Sequence, residues 1–231
     1  MSSFLSWLRQ LQFGSLIDGL LVVLAAVLSI TVHESCHGLA AWWLGDPTAK
    51  RAGRISLNPL RHIDVFGLIL LAVAKFGWAK PVPVDMRNFR RPKEGMALTA
   101  LAGPVSNVLL AYLALLIRSL LLFFTWKYGE GTVLGWAVTL TEYLTVISAG
   151  LAVFNLFPIP PLDGSKVLFA LLPPRAYGQL MRYERYGMLL LAVLLLTGVI
   201  DGPLSAMRSR LIGVLQSGAS FPFYLLWKAF G

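Results

Sequence analysis

Leu16–Leu44 is almost wholly apolar and contains no proline. As one helix it is about 43 Å long, more than the ~30 Å hydrocarbon core of a bilayer. Inside this run stands His33-Glu34-Ser35-Cys36-His37, an H-E-x-x-H motif. Residues four apart lie about 40° apart around a helix axis, so both imidazoles can reach one metal ion. Glu34 is then placed to accept a proton from a water at that metal. Two histidines and a glutamate are costly in so apolar a stretch, and intramembrane ionisable groups mark functional sites. The alternative, two core histidines bonded to nearby carbonyls, gives no reason to bear that cost.

The whole chain agrees with a membrane setting. Of its 231 residues 57% are hydrophobic and 13% charged, and its mean hydropathy is +0.70. A soluble domain is nearer a quarter charged. The net charge of +9 sits in a few loops, as the positive-inside rule expects, so it does not indicate a nucleic-acid partner. The single cysteine, Cys36, excludes an internal disulfide. The three histidines, 33, 37 and 62, are too few for a many-histidine di-iron site. The first long apolar run exceeds the h-region of a cleavable signal and carries the motif itself.

The pattern predicts an all-α polytopic membrane protein, with about 5–6 transmembrane helices, a re-entrant segment and short β-strands near the active site. One domain is expected over 1–231: an interfacial helix at 1–13, a core at 16–200, and a membrane-associated tail at 203–231. Gly45-Asp46-Pro47 ends the first helix. Arg54–Leu57 is strand-like. Val65–Gly77 is apolar but too short to span, and it is interrupted by Lys75. Pro81 and Pro83 make residues 78–84 extended, in the manner of an edge strand. Further spans are expected over Met96–Trp126, Val133–Phe157 and Tyr186–Ile200, with a short helix from Asp163 to near Leu172 and a basic loop at 175–185.

Both flanks of 65–77 are basic: Lys50, Arg51, Arg54 and Arg61 before, Arg87, Arg90, Arg91 and Lys93 after. Both belong on the cytoplasmic side, so 65–77 dips in and returns. The 96–126 span then runs out and the 133–157 span runs back. Asp163 arrives on the side of the membrane where His33 and His37 lie. A catalytic zinc site needs a third protein ligand and one open position, and Asp163 is the strongest candidate. Its other reading is a cap on the helix that follows.

Five stretches carry a family resemblance: HESCHG, LGDPTAKRAGRISLNPLRHIDVFG, GWAKPVPVDMRNFRRP, LAGPVSNVLLA and FNLFPIPPLDGSKVLFALLPP. In these the chain resembles the site-2 protease family of intramembrane zinc metalloproteases, in its short, mostly prokaryotic, membrane-core form. The resemblance implies one Zn2+ per chain held by His33, His37 and Asp163, with Glu34 as catalytic base. It suggests Asn107 and Asn155 as polar residues that hold the substrate. It implies a transmembrane protein substrate, a lipid-bilayer setting in the bacterial cytoplasmic membrane, and an active site toward the cytoplasmic half. Regulatory PDZ or CBS modules are absent from the resemblance.

Hydrolysis needs water, so such a site must line a polar cavity. A helical substrate must unwind locally to expose a carbonyl, which favours helix-weakening residues near the cut. Residues 78–84 could pair with the unwound strand. A non-cleaving pseudoprotease that binds membrane helices is the rival reading, and the intact Glu34 argues against it. A zinc transporter would need a second intramembrane polar cluster, which the sequence lacks. Cys36 reads as a small buried filler, His62 as a structural hydrogen-bonding residue and Lys80 as an interfacial anchor.

Overall fold

The computed structural model describes residues 16–62, 64, 80–129 and 131–230, with the backbone alone at 174–175 and 178–185. The expected interfacial helix at 1–13 and re-entrant segment at 65–77 lie outside the described residues. All regular structure described is helical: α1 (Leu16–Trp43), the single turn α2 (Thr48–Arg51), α3 (Pro92–Tyr128), α4 (Thr132–Asn155), α5 (Asp163–Ala170), α6 (Pro174–Thr197), α7 (Asp201–Ala219) and α8 (Phe221–Phe230).

Among the described residues α1, α3 and α4 are long and apolar enough to cross a membrane. Tyr186–Thr197 with Asp201–Phe230, bent by 86°, would make a fourth span. Among the described residues three or four such spans are found, against the five or six expected of the whole chain. The difference arises in the C-terminal region, where the expected outward span and the two apolar pieces of the tail fold into one bent pair. No strand occurs among the described residues. Arg54–Leu57 and residues 80–85 are irregular. Pro81 and Pro83 cannot donate to a ladder, and the Val82 N–H between them goes to a side chain instead. The expected basic loop at 175–185 is part of helix α6. Loop charge is a compositional signal, and cations are compatible with a helix.

The described residues form two compact units, one from within 16–29, 107–154 and 192–230, the other from within 30–62, 80–106 and 155–191. In the first, Ala25, Ala111, Ala114, Ala149 and Ala152 are fully enclosed, as expected where membrane helices pack through small residues. Ser29 and Ser148 share a hydrogen bond of 2.8 Å, and Arg118 pairs with Glu142 at 3.1 Å. Leu20, Val23, Leu109 and Leu113 are exposed. Such apolar faces suit lipid rather than water.

The second unit holds the motif half of α1, the loops after it, the start of α3, and α5. Gly38 lets these loops approach α1. A Cβ there would stand 3.2 Å from both Ala49 and Ile55 and 3.4 Å from Val82. Asp46, just past the end of α1, is fully enclosed and ties the loops together. Its carboxylate accepts from the Thr48 hydroxyl and, at 3.0 Å, the Thr48 N–H, from Asn88 Nδ2 at 2.8 Å, and from the Asp85 N–H at 2.8 Å.

Candidate metal centre and active site

The helical register of α1 turns His33 and His37 to one side, and their rings meet edge to face with centroids 4.5 Å apart. Asp163 opens α5 after the loop Leu156–Leu162, which Pro158, Pro160 and Pro161 keep out of helix. Its Oδ2 lies 3.1 Å from His33 Nε2 and 3.1 Å from His37 Nε2. The two Nε2 atoms are 3.0 Å apart. All three side chains are buried, with 6%, 9% and 8% of their residues' surfaces exposed. The residue at the N-cap of α5 is Leu162, without a side-chain cap bond; the Asp163 carboxylate is turned to the imidazoles.

The electrostatics of this triangle call for a cation. His37 Nδ1 donates to the Thr99 carbonyl at 2.7 Å, which leaves Nε2 of the neutral ring as a lone-pair donor aimed at the other two atoms. A ring nitrogen fixed from behind by a backbone carbonyl is the usual arrangement for a metal-ligating histidine. Asp163 supplies the negative charge of the set, its Oδ2 facing both rings. Lys166 Nζ, one turn on, stands 4.0 Å from its other oxygen. Two imidazole nitrogens and one carboxylate oxygen form a three-ligand set chemically suited to catalytic zinc, so the residues fit that ion.

The partners of this set come from α3. Pro104 has no N–H and cannot serve the Ala100 carbonyl, which weakens the helical ladder beside Thr99. Gly103 leaves room for the two rings: a Cβ there would lie 2.5 Å from His37 Cε1 and Nε2. Neither Gly103 nor the Thr99 carbonyl was legible as a site group. The only available signal was a glycine followed by proline inside an apolar helical run.

Glu34 is half-buried, and its Oε2 accepts the Val82 N–H at 3.1 Å. Ser35 Oγ donates to the Ser56 carbonyl at 2.6 Å. His62, 1% exposed, donates from Nε2 to the same carbonyl at 2.8 Å. Cys36 is not among the three converging donors; it lines a separate cavity of 240 Å³ with Val32, Leu39 and Ile55. Asn155 is the last residue of α4 and half-buried. Asn107 lies in α3, one turn past Gly103, with no exposed surface.

The family model described as peptidase family M50 matches residues 122–198, a stretch that includes Asp163 but not the H-E-x-x-H motif. The proposed zinc metalloprotease YwhC of Bacillus subtilis is 38% identical over 179 residues, covering 76% of this chain and 80% of its own. The chain belongs to the site-2 protease family. Two further relatives have lower identity. Rip2 of Mycolicibacterium smegmatis, also named as a proposed zinc metalloprotease, is 29% identical over 79% of this chain and 69% of its own. MJ0611 of Methanocaldococcus jannaschii, similarly named, is 30% identical over 59% of this chain and 62% of its own. No solved structure matches the chain. Membership makes the protein a metalloprotease with zinc as its metal.

Proposed function

We propose that this chain is an intramembrane zinc metalloendopeptidase that cuts membrane proteins within or next to their transmembrane segments, as in regulated intramembrane proteolysis. The observation that carries the reading is the meeting of His33, His37 and Asp163 within 3.1 Å of one another. The motif lies inside α1, a helix long and apolar enough to cross a bilayer.

His33, His37 and Asp163 would hold the zinc, with the Thr99 carbonyl orienting His37. Zinc, when bound, supplies Lewis acidity that makes water acidic enough to ionise near neutral pH and polarises a carbonyl. Glu34 takes the proton from the attacking water and delivers it to the leaving amine. Val82 holds one oxygen of that carboxylate, so the other is left for proton transfer. Asn107 and Asn155 are assigned to the substrate backbone, whose amides lose their helical partners when it unwinds; an amide side chain can both donate and accept. The basic flanks at Lys50–Arg61 and Arg87–Lys93 support placing the site toward the cytoplasmic half of the cell membrane.

The test is cleavage of synthetic transmembrane peptides by the purified protein in bilayers, wild type against Glu34→Gln. Cutting by the wild type and at least a hundredfold loss in the variant are expected, since a general base contributes about 100- to 10,000-fold. Equal cutting by both would remove Glu34 from the mechanism. Binding of the peptides without cutting would favour a pseudoprotease.

A further inference from the structure

Among the described residues no side chain hydrogen-bonds the Glu34 carboxylate. Its described partner is the backbone N–H of Val82, in a segment with no regular structure. Pro81 and Pro83 have no N–H, so residues 81–83 offer one amide, and Glu34 takes it. A carboxylate held by an irregular segment is only as well aimed as that segment is fixed.

Two buried residues, both in the loop after α2, hold the segment in place, one by its side chain and one by its backbone carbonyl. Arg54, 7% exposed, donates through Nη2 to the Lys80 carbonyl and, at 3.2 Å, to the Pro81 carbonyl. The carbonyl of His62 accepts the Lys80 N–H at 2.9 Å. The His62 ring is anchored through the Ser56 carbonyl to Ser35, the residue next to Glu34. The contacts close a ring: Glu34 to Val82, along the chain to Lys80, through His62 and Ser56 to Ser35. Arg54 braces the strap from the side. Burying a guanidinium is costly, and the carbonyls it serves lie immediately before Val82.

We propose that Arg54, with His62 behind it, is a positioning residue for the catalytic base: it fixes the Lys80–Val82 strap, and the strap's Val82 amide fixes the Glu34 carboxylate. The proposal rests on reading Glu34 as the base. The guanidinium suits this task because its Nη2 carries two N–H groups, held in a fixed direction by the planar group, and meets two successive carbonyls. Misplacing a catalytic group by about 1 Å can cost about 100-fold in rate, so contacts remote from the metal can govern turnover.

The experiment uses the full chain loaded with zinc. The substrate is a labelled unfolded polypeptide, which needs no unwinding. Arg54→Ala should keep its zinc and its KM within about twofold while kcat falls about 10- to 100-fold. Val82→Pro removes the N–H, together with the valine side chain, and should cause at least a similar loss. The double variant should be no worse than the more impaired single one, because both break the same link. Hydrogen exchange gives a readout independent of activity. The one amide of the 81–83 stretch should be protected in wild type and exchange at least tenfold faster in Arg54→Ala. Unchanged exchange, a loss of zinc, additive losses, or a rise in KM at constant kcat would each overturn the proposal. A fully active Glu34→Gln would instead show that the reading of the base is wrong. The exchange result for Arg54 would still report whether the strap is held as proposed.

Discussion

Gly103 of α3 stands so close to His37 that an added methyl carbon would lie 2.5 Å from the imidazole Cε1 and Nε2, and 2.6 Å from Cε1 of His33. Contacts that short force a ring or the helix to move. Alanine is favoured over glycine inside a helix by roughly 0.5–1 kcal/mol. Overpacking a buried site costs about 1–3 kcal/mol, more than that gain, so Gly103→Ala should leave the metal-free protein modestly less stable than wild type. Its zinc affinity should fall about 10- to 100-fold, the usual cost of disturbing the surroundings of a metal ligand. Competition with a chromophoric chelator, alongside thermal melting of the stripped protein, separates the two effects. Unchanged affinity would mean that the rings can move aside freely.

Asp163 provides the second prediction. Its carboxylate faces both imidazoles and does not cap α5. Asp163→Ala should retain wild-type helix content and lose most of its zinc. A ligand that binds only the folded state stabilises it by mass action, by about 4 kcal/mol at a thousandfold excess over Kd. A strong chelator should thus lower the melting temperature of wild type and leave that of Asp163→Ala unmoved. Full zinc content in the variant would remove Asp163 from the ligand set.

What the sequence made legible follows from the range of the interactions concerned. The bounds of α1 and α4 lie within a residue or two of expectation, because an apolar run between breakers is a local signal. Helix α3 starts four residues earlier than read, at Pro92; proline at a first helical position is a start signal, and the charges after it concealed it. The i,i+4 histidine pair is likewise local. Asp163 required a topological argument, since it is 130 residues from His33. Gly103, the Thr99 carbonyl and the Val82 amide were out of reach: one acts by lacking a side chain and the others through the backbone, which no residue name reports.

The Asp46 knot leads to a pH prediction. Burial pushes its carboxyl up, but the hydrogen bonds from Thr48, Asp85 and Asn88 outweigh this and lower it from 3.8. A depressed folded-state value means that the ionised group stabilises the fold fully above the unfolded value. That contribution is lost as pH falls below about 4 through the folded value. Asp46→Asn should cost about 1.5–3 kcal/mol at neutral pH, the range for hydrogen bonds to a charged group. The gap between variant and wild-type melting temperatures should be constant from about pH 5 to 8 and narrow below about pH 4. A gap independent of pH would show that shape, not charge, matters there.

The basic flanks yield a topology prediction. Lys50 and Arg90 are both exposed and bracket the apolar stretch 65–77. In a Cys36→Ala background, Lys50→Cys and Arg90→Cys should react with an impermeant thiol reagent from the same, cytoplasmic side. Labelling from opposite sides would make 65–77 a full span and reverse the inferred direction of α3.

Asn155 carries the last prediction. It ends α4, eight residues before Asp163, and only the proline-broken loop separates the two along the chain. An unwound substrate presents bare amides and carbonyls, and each unmet group costs several kcal/mol in a hydrocarbon setting. We assign Asn155 to the scissile carbonyl or its neighbour. A donor already in place where negative charge develops stabilises the transition state more than the ground state. Asn155→Ala should therefore fold and bind zinc normally, hold an uncleaved substrate as tightly as wild type, and turn over about 100- to 1,000-fold more slowly. Zinc content, peptide affinity in the Glu34→Gln background, and single-turnover rates measure the three quantities separately. Loss of zinc together with activity would show that Asn155 supports the fold at the end of α4, and a near-normal rate would leave the metal alone to polarise the carbonyl.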